Sequence, residues 1–128
     1  MKFRAIKENH LFSKAYAKGK RAVTSALAVY VLPDYAAKKL AKADTRKQVK
    51  NRYGITVSTK IGGATIRSRC RRIIREGLRT VERQGNLKQG FLIVIAARSI
   101  APKLKAYEIE KYLNDAFTKL GMYQSEIK

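Results

Sequence analysis

Residues Lys60–Arg83 read KIGGATIRSRCRRIIREGLRTVER, and this stretch decides the fold. Its apolar residues recur every three or four positions, which predicts an amphipathic helix that follows a glycine pair. The predicted buried stripe consists of Ile66, Cys70, Ile73, Ile74, Leu78 and Val81. We expect this stripe to fix the helix to a sheet.

The polar side of the predicted helix is crowded with positive charge. It carries seven arginines, and five of them repeat at four-residue intervals, namely Arg67, Arg71, Arg75, Arg79 and Arg83. Like charges at this spacing destabilise an isolated helix, here by roughly 1–2 kcal/mol in all. Only Glu76 and Glu82 offset the charge locally. We therefore expect this side of the helix to face a polyanion.

Length and composition indicate one folded and strongly basic domain. The 128 residues suffice for one core, so we expect a single domain over residues 1–128. The 29 Lys and Arg outnumber the 9 Asp and Glu, which gives a net charge of +20. Charge of this size favours nucleic acid as the partner. The hydrophobic fraction of 45% argues against a disordered basic tail.

The sequence argues against a membrane partner. No apolar run approaches the roughly 20 residues of a spanning helix, and no signal-peptide pattern opens the chain. The single cysteine, Cys70, excludes internal disulfides and fits a reducing cytoplasm, where we expect the protein to act. Because Cys70 falls on the apolar stripe, we interpret it as a small core residue.

The rest of the chain alternates helices and strands. A short helix is predicted within residues 1–20, beginning near Asn9 and ending before Gly19. A last helix is predicted at about Lys105–Leu120, with a stop at Gly121. Strands are predicted at Ala26–Leu32, Asn51–Ser58 and Phe91–Ala96, the last covered on both faces. This order predicts an α+β two-layer sandwich, a sheet with helices against it.

Several residues on these elements suit contact with a polar partner. Gly54, Thr56 and Ser58 form a small and hydroxylated strand face that is poorly suited to a core. Phe12 and Tyr16 form an i, i+4 aromatic pair on the first helix. Such a pair is typical of core packing, and the alternative is a platform on which bases stack.

The basic segment Ala36–Lys50 lies between the first two predicted strands. It is rich in Ala and Lys and is longer than an ordinary hairpin loop. We interpret it as a solvated excursion, with a supplementary phosphate-contact arm as the alternative.

No catalytic constellation is visible in the sequence. The nine acids are scattered, and no pair is placed for two-metal phosphodiester chemistry. One His and one Cys cannot form a zinc site, and neither a nucleophile elbow nor a phosphate loop is present. We therefore predict no catalytic residue, no metal ligand and no small-molecule substrate for this chain.

Three stretches, taken in this order and spacing, resemble the protein subunit of bacterial ribonuclease P. The segment Ile66–Arg75 is similar to the family's Arg-Asn-Arg signature and the basic residues after it. Tyr53–Gly62 is similar to the strand and loop before that signature, and Ile6–Gly19 to the family's opening helix. One departure is Ser68, which stands where the family usually has Asn and offers fewer hydrogen-bond donors. The resemblance covers nearly the whole chain.

The resemblance implies a fold and a function. It implies a roughly four-stranded mixed sheet in the order α-β-β-β-α-β-α, with an unusual left-handed β-α-β crossover. The protein would be part of an endoribonuclease in which the RNA subunit is the catalyst and holds magnesium. It would bind that RNA and the 5′ leader of precursor tRNA, assist removal of the leader, and be inactive alone.

The resemblance also assigns roles by position. Contact with the catalytic RNA would involve Lys60, Arg67, Ser68, Arg69, Arg71, Arg72 and Arg75. A cleft for the leader would involve Phe12, Tyr16, Tyr30, Thr56 and Ser58. Strand alternation independently puts Tyr30, Thr56 and Ser58 on compatible faces, and stacked aromatic side chains are what tolerant single-strand binding requires.

Two other functions remain open from the residues alone. One is a ribosomal or general RNA-binding protein that uses the basic helix as a clamp without a role in cleavage. The aromatic and hydroxylated surface argues against it, because a phosphate clamp does not need one. The other is an architectural DNA-binding protein, which is disfavoured because the arginine helix lacks Asn and Gln to read base edges.

Overall fold

The computed structural model describes residues 4–6, 9–35, 39 and 50–124. Its helices are α1 (Asn9–Lys18), α2 (Ala64–Arg83) and α3 (Ala106–Lys119). Its strands are β1 (Arg4–Ala5), β2 (Lys20–Val23), β3 (Leu27–Pro33), β4 (Arg52–Thr56) and β5 (Phe91–Ala97). The predicted α+β class and the order α-β-β-β-α-β-α are confirmed, with the two-residue β1 added in front. Apart from Lys39 and Lys50, the predicted excursion lies outside the described residues.

The five strands form one mixed sheet in the order β1-β4-β5-β3-β2. Strand β5 lies in the middle, parallel to β4 and antiparallel to β3. Its residues Leu92–Ile95 are all buried, so the prediction of a strand covered on both faces is confirmed. Helix α2 joins the parallel neighbours β4 and β5, and the left-handed path of this crossover stays a prediction.

Helices cover both faces of the sheet. The larger core lies between the sheet and the pair α2 and α3, and a smaller core lies beneath α1 on the opposite face. Val29 of β3 belongs to the larger core, whereas Leu32, three positions further along the strand, belongs to the smaller one together with Ala15 of α1. The predicted alternation of β3 is therefore confirmed, and it places Tyr30 on the α1 side.

Helix α2 buries most of the predicted stripe. Its fully buried side chains are Cys70, Ile74, Leu78 and Val81. Ile73 is half-buried, but the prediction was wrong for Ile66, which is 46% exposed. The helix begins only at Ala64, and Ile66 packs against Gly62 in the preceding turn and not against the sheet.

The sequence pattern did not predict strands β1 and β2. Strand β2 pairs with β3 in an antiparallel hairpin, yet only Ala22 of its four residues is buried. A run with one buried position gives no alternation to detect. The hairpin turn is held by Thr24, whose backbone N–H and hydroxyl both donate to the carbonyl oxygen of Leu27, at 2.8 and 3.0 Å.

Helix α3 has its own end signals. The Glu108 carboxylate accepts a hydrogen bond from the Lys105 N–H at 3.2 Å, which satisfies a free donor in the first turn. After the helix, Gly121 adopts a φ of +67°, a conformation that favours glycine. The predicted stop at Gly121 is confirmed.

The buried polar residue Asn51 ties the start of β4 to the loop before β5. Its Nδ2 donates to the Lys88 carbonyl oxygen at 2.7 Å, and its Oδ1 accepts from the Phe91 N–H at 2.9 Å. Next to it, Arg52 binds the buried carboxylate of Asp34 through Nε at 2.8 Å and Nη2 at 3.1 Å. These contacts fix the register of β4, which carries the floor of the cleft described below.

Replacing Asn51 with Ala should lower the free energy of unfolding by about 2–3 kcal/mol, because two partly buried backbone groups lose their partners. Urea denaturation followed by circular dichroism measures the change. Asn86→Ala is the matched control, since Asn86 is exposed in the same loop. Its effect should stay within about 0.5 kcal/mol. Equal effects of the two changes would show that the Asn51 side chain does not hold this loop.

Cys70 is fully buried in α2, as predicted for a core residue. Burial raises the pKa of the Cys70 thiol, although nearby Arg71 opposes the shift. Because the thiolate is the reactive form, we expect Cys70 to resist thiol reagents in the native protein and to react fully in denaturant. A colorimetric thiol titration with and without guanidinium measures this. Fast modification of the native protein would contradict the buried position.

Candidate nucleic-acid interface

The arginines of α2 divide between two sides of the helix. Arg71, Arg75 and Arg79, one turn apart, point toward α1 and the edge of β4. Arg69 and Arg72 lie on another side of the helix. We call these the cleft side and the outer side. The sequence placed all of these arginines on one polar side, because periodicity alone does not show where α1 lies.

The cleft side borders a depression of about 500 Å³ between α1 and α2. The middle of β4 lines it, together with Phe12 of α1 and the three arginines of α2. The lining residues are Ala5, Ile6, Phe12, Tyr53, Gly54, Ile55, Arg71, Arg75 and Arg79. Among the described residues, no acidic side chain lines this cleft, so an anionic chain inside it would meet mainly positive charge and apolar surface.

Phe12 lies directly on the backbone of β4. A Cβ atom on Gly54 would come within 2.4 Å of the Phe12 ring, a contact that real structures do not allow. The glycine therefore lets the ring settle onto the strand. The sequence predicted that Gly54 belongs to a small strand face that contacts a polar partner. In the structure, the lack of a side chain at Gly54 makes room for the Phe12 ring.

One turn further along α1, Tyr16 continues the aromatic surface. Its ring stands edge-on to the ring of Tyr30, with centroids 4.7 Å apart and an interplanar angle of 83°. Its hydroxyl lies 3.1 Å from Oγ1 of Thr56, within hydrogen-bond distance. Tyr16 remains 42% exposed, so it is available to a ligand. Helix α1 thus brings Phe12 and Tyr16 close to Tyr30 and Thr56, and the role of these residues in leader binding stays a prediction.

Ser58, the fifth residue of the predicted cleft, lies apart from this group. Strand β4 ends at Thr56, and Ser58 is exposed at the start of a 3-10 turn over Thr59–Ile61. Lys60 is exposed in the same turn, directly before α2. The structure therefore associates Ser58 with Lys60 and the start of α2 more closely than with the aromatic surface.

The outer side of α2 forms a second, shallower depression of about 590 Å³. It is lined by Ala64, Thr65, Ser68, Arg69 and Arg72. Small residues in the first turn keep this surface open, and Ser68, Arg69 and Arg72 are all exposed. None of these arginines is paired with a carboxylate within the described part of the chain. The surface suits docking against a phosphate backbone.

Arg67 differs from the other arginines of the predicted set. It is half-buried, and its Nε lies out of contact with solvent without a hydrogen-bond partner among the described residues. Buried donors are normally paired. Truncation of Arg67 would disturb packing as well as charge, so Arg69 and Arg72 are the better positions for testing the outer side.

Two residues of the site were missed by sequence reasoning. Arg79 lines the cleft although it was not among the predicted contact residues. Its signal was present, since it continues the four-residue spacing of Arg71 and Arg75. Gly54 was assigned to a polar contact face, whereas its use as the seat for Phe12 depends on the position of α1.

The described ranges contain neither a cluster of metal ligands nor a membrane-spanning helix. Within residues 4–6, 9–35, 39 and 50–124, no three His, Cys, Asp or Glu side chains lie close enough to hold a metal ion. In the same ranges, no helix has the length and apolar character needed to cross a membrane.

Comparison with known proteins gives a consistent result. A family model described as Ribonuclease P matches residues 1–121. The ribonuclease P protein component of Clostridium acetobutylicum is 34% identical over 122 residues, covering 95% of this chain and 92% of that protein. That of Bacillus pumilus is 32% identical over 123 residues, covering 96% of this chain and 92% of that protein.

Solved structures share the fold. The RNase P protein of Staphylococcus aureus superposes with a TM-score of 0.74 at 24% identity, covering 96% of this chain and 100% of that one. The RNase P protein of Thermotoga maritima gives a TM-score of 0.67 at 21% identity, covering 88% of this chain and 93% of that one. The α+β arrangement described above is therefore also the fold of these proteins.

Proposed function

This chain belongs to the ribonuclease P protein family, and on that premise we propose that it is the protein component of a ribonuclease P ribonucleoprotein. In that complex it binds the catalytic RNA subunit and the 5′ leader of precursor tRNA. It thereby assists the magnesium-dependent endonucleolytic removal of the leader, the step that matures the 5′ end of tRNA. We expect the complex to act in the cytoplasm.

The outer side of α2 docks onto the catalytic RNA. Arg69 and Arg72 are exposed there beside Ser68, and the first turn of the helix contributes the small side chains of Ala64 and Thr65 to this surface. Guanidinium groups bind phosphate oxygens in pairs and keep their charge at any physiological pH. Lys60, exposed in the turn between β4 and α2, extends the positive surface toward β4. The catalytic RNA therefore contacts this turn as well as the start of α2.

The cleft and the aromatic surface hold the leader. The exposed Tyr16 ring offers a stacking face, and Arg71, Arg75 and Arg79 line the cleft together with Phe12. The resemblance assigned Arg71 and Arg75 to the catalytic RNA, and their position in the cleft favours contact with the leader instead. Bases stack on rings whatever their identity, and arginines neutralise the phosphates between them. This mode of binding tolerates leaders of different sequence.

We assign the cleavage chemistry to the catalytic RNA subunit and not to this chain. Magnesium, held mainly by the RNA subunit, would neutralise charge at the scissile phosphate when bound. The described residues offer no cluster of metal ligands, so no magnesium ligand is assigned to them. Their contribution is to hold the leader and the catalytic RNA in a fixed position relative to each other, which lowers the entropic cost of bringing the reacting groups together.

A single observation carries the proposal. Two chemically different surfaces lie on different sides of one helix, a basic outer side and a basic cleft that continues through Phe12 to the exposed ring of Tyr16. A general RNA clamp would need only the first surface. The second is the feature that favours a protein with a single-stranded substrate segment.

Leader release from precursor tRNA at low magnesium tests this proposal. The protein is mixed with a bacterial ribonuclease P RNA and 5′-labelled precursor tRNA, and the released leader is measured on a gel. We expect efficient cleavage only when both protein and RNA are present. Cleavage by the protein alone, or no effect of the protein on the RNA, would overturn the proposal.

A further inference from the structure

A third cavity, of about 350 Å³, lies at the other end of the sheet from the start of α2. The cavity is lined by charged and apolar side chains, among them Lys18, Lys20, Leu32, Lys88, Phe91 and Met122. Its volume is at the lower end of the range typical of small-ligand sites, about 300–1,000 Å³. Neither the proposed leader surface nor the proposed RNA-docking surface includes any of these residues.

Strand register separates this cavity from the leader surface. Pro33 pairs with Phe91 at the end of the sheet where the cavity lies. Thr56 pairs with Ala96 toward the opposite end, five positions along β5. At about 3.3 Å per residue, the two ends are roughly 16 Å apart. The apolar floor of the cavity and the hydroxyl contact of Tyr16 therefore lie toward different ends of the sheet, although Lys18 of the rim is only two residues beyond Tyr16 on α1.

The rim of the cavity carries positive charge from three separate parts of the chain. Lys18 ends α1, Lys20 begins β2, and Lys88 lies in the loop before β5. All three are exposed. Among the described residues, no acid lines the cavity and no carboxylate pairs with these lysines. Convergence of three ammonium groups without a counter-charge indicates an anionic ligand.

The floor of the cavity is apolar and partly aromatic. Leu32, half-buried Phe91 and Met122 line it, and Met122 is only 2% exposed. At the lip, the ring of Tyr35 is 61% exposed, with the Lys14 ammonium 5.8 Å from its centroid. A small inorganic anion would leave this apolar surface unused, whereas a flat ring joined to a phosphate would use both parts.

We propose that this cavity binds one unpaired nucleotide of an RNA strand. The base lies against Phe91, Leu32 and Met122, and the adjoining phosphates contact Lys18, Lys20 and Lys88. Extruded bases are normally held this way, by an apolar pocket and nearby cations. The site is a second RNA contact, in addition to the leader surface and the outer side of α2.

Met122 provides a direct reporter, because the chain has only two methionines. The full-length protein is labelled with 13C at the methionine methyl groups and titrated with adenosine 5′-monophosphate. We expect the Met122 methyl resonance to move upfield through the ring current of the base. Adenosine and inorganic phosphate, used as separate probes, should each bind more weakly than the nucleotide.

Substitutions of the lysines and a comparison of single-stranded with duplex RNA complete the test. Lys18→Gln and Lys88→Gln should each weaken nucleotide binding by roughly two- to fivefold. Lys111→Gln, on the exposed side of α3, is the matched control and should change nothing. A single-stranded RNA pentanucleotide should shift Met122, and a blunt RNA duplex should not. Tyr16→Ala should leave the Met122 response intact, which separates this site from the leader surface.

Three results would overturn the proposal. The first is a Met122 resonance that does not move at nucleotide concentrations at which every other change in the spectrum has reached its plateau. The second is equal binding of inorganic phosphate and nucleotide, which would reduce the site to general charge attraction. The third is an equal shift of Met122 by single-stranded and duplex RNA.

Discussion

Replacing Phe12 and Tyr16 together with Ala is expected to lower the affinity of the assembled ribonucleoprotein for precursor tRNA by about 2–6 kcal/mol. Each base stacked on an aromatic side chain contributes roughly 1–3 kcal/mol, and the two rings are neighbours on α1. Affinity for mature tRNA, which lacks the leader, should not change. Equilibrium binding of both tRNAs to the same preparation measures the difference.

Controls separate the loss of stacking from loss of structure. Tyr16→Phe keeps the ring and removes only the hydroxyl near Thr56, so it should retain most of the affinity. Tyr107→Ala removes a ring that is 58% exposed on α3, away from the leader surface, and should have no effect. Thermal unfolding of each variant checks that α1 remains in place. Equal losses for precursor and mature tRNA would remove the leader assignment.

The second large effect concerns the outer side of α2. Replacing Arg69 and Arg72 with Ala should weaken binding to the catalytic RNA by about 3 kcal/mol, or roughly 150-fold, because two charge-assisted contacts are lost. The slope of log affinity against log salt should also fall by about 2. Filter binding across a salt series measures both quantities in the absence of tRNA.

The matched comparison is Arg71→Ala with Arg75→Ala, which removes the same charge from the cleft side of the same helix. These changes should affect precursor tRNA with a leader more than they affect the catalytic RNA. If both pairs of changes weaken catalytic-RNA binding equally, the two sides of α2 do not differ in function. An unchanged salt slope for the Arg69 and Arg72 pair would exclude the outer side as the docking surface.

Much of the fold follows from periodicity in the sequence. The stripe of α2 and the apolar run of β5 are long enough for burial to dominate, so both were found within a few residues of their observed bounds. Ile66 was placed wrongly because the apolar spacing continues into the first turn, where Ile66 packs against Gly62 and stays 46% exposed. Strands β1 and β2 are short edge strands. The pairing of β1 depends on β4, which is distant in sequence, whereas β2 pairs with the neighbouring β3 but buries only Ala22.

The candidate site was predictable in its residue types but not in its arrangement. Spacing placed Phe12 and Tyr16 on one side of α1, and resemblance linked them to Tyr30 and Thr56. The division of the arginines depends on where α1 crosses the sheet, which is a tertiary fact. The contact of Phe12 with Gly54 has the same origin, since it requires knowledge of which side chain covers the glycine.

Site-specific crosslinking tests the central claim most directly, namely that α2 separates the catalytic RNA from the leader. Because Cys70 is buried, a thiol-reactive photo-crosslinker attached to Ser68→Cys or Thr56→Cys variants marks only the introduced site. In the assembled complex, we expect the Ser68→Cys variant to crosslink to the catalytic RNA and the Thr56→Cys variant to the 5′ leader. Crosslinks from the Thr56→Cys variant to the catalytic RNA, without any to the leader, would contradict the account.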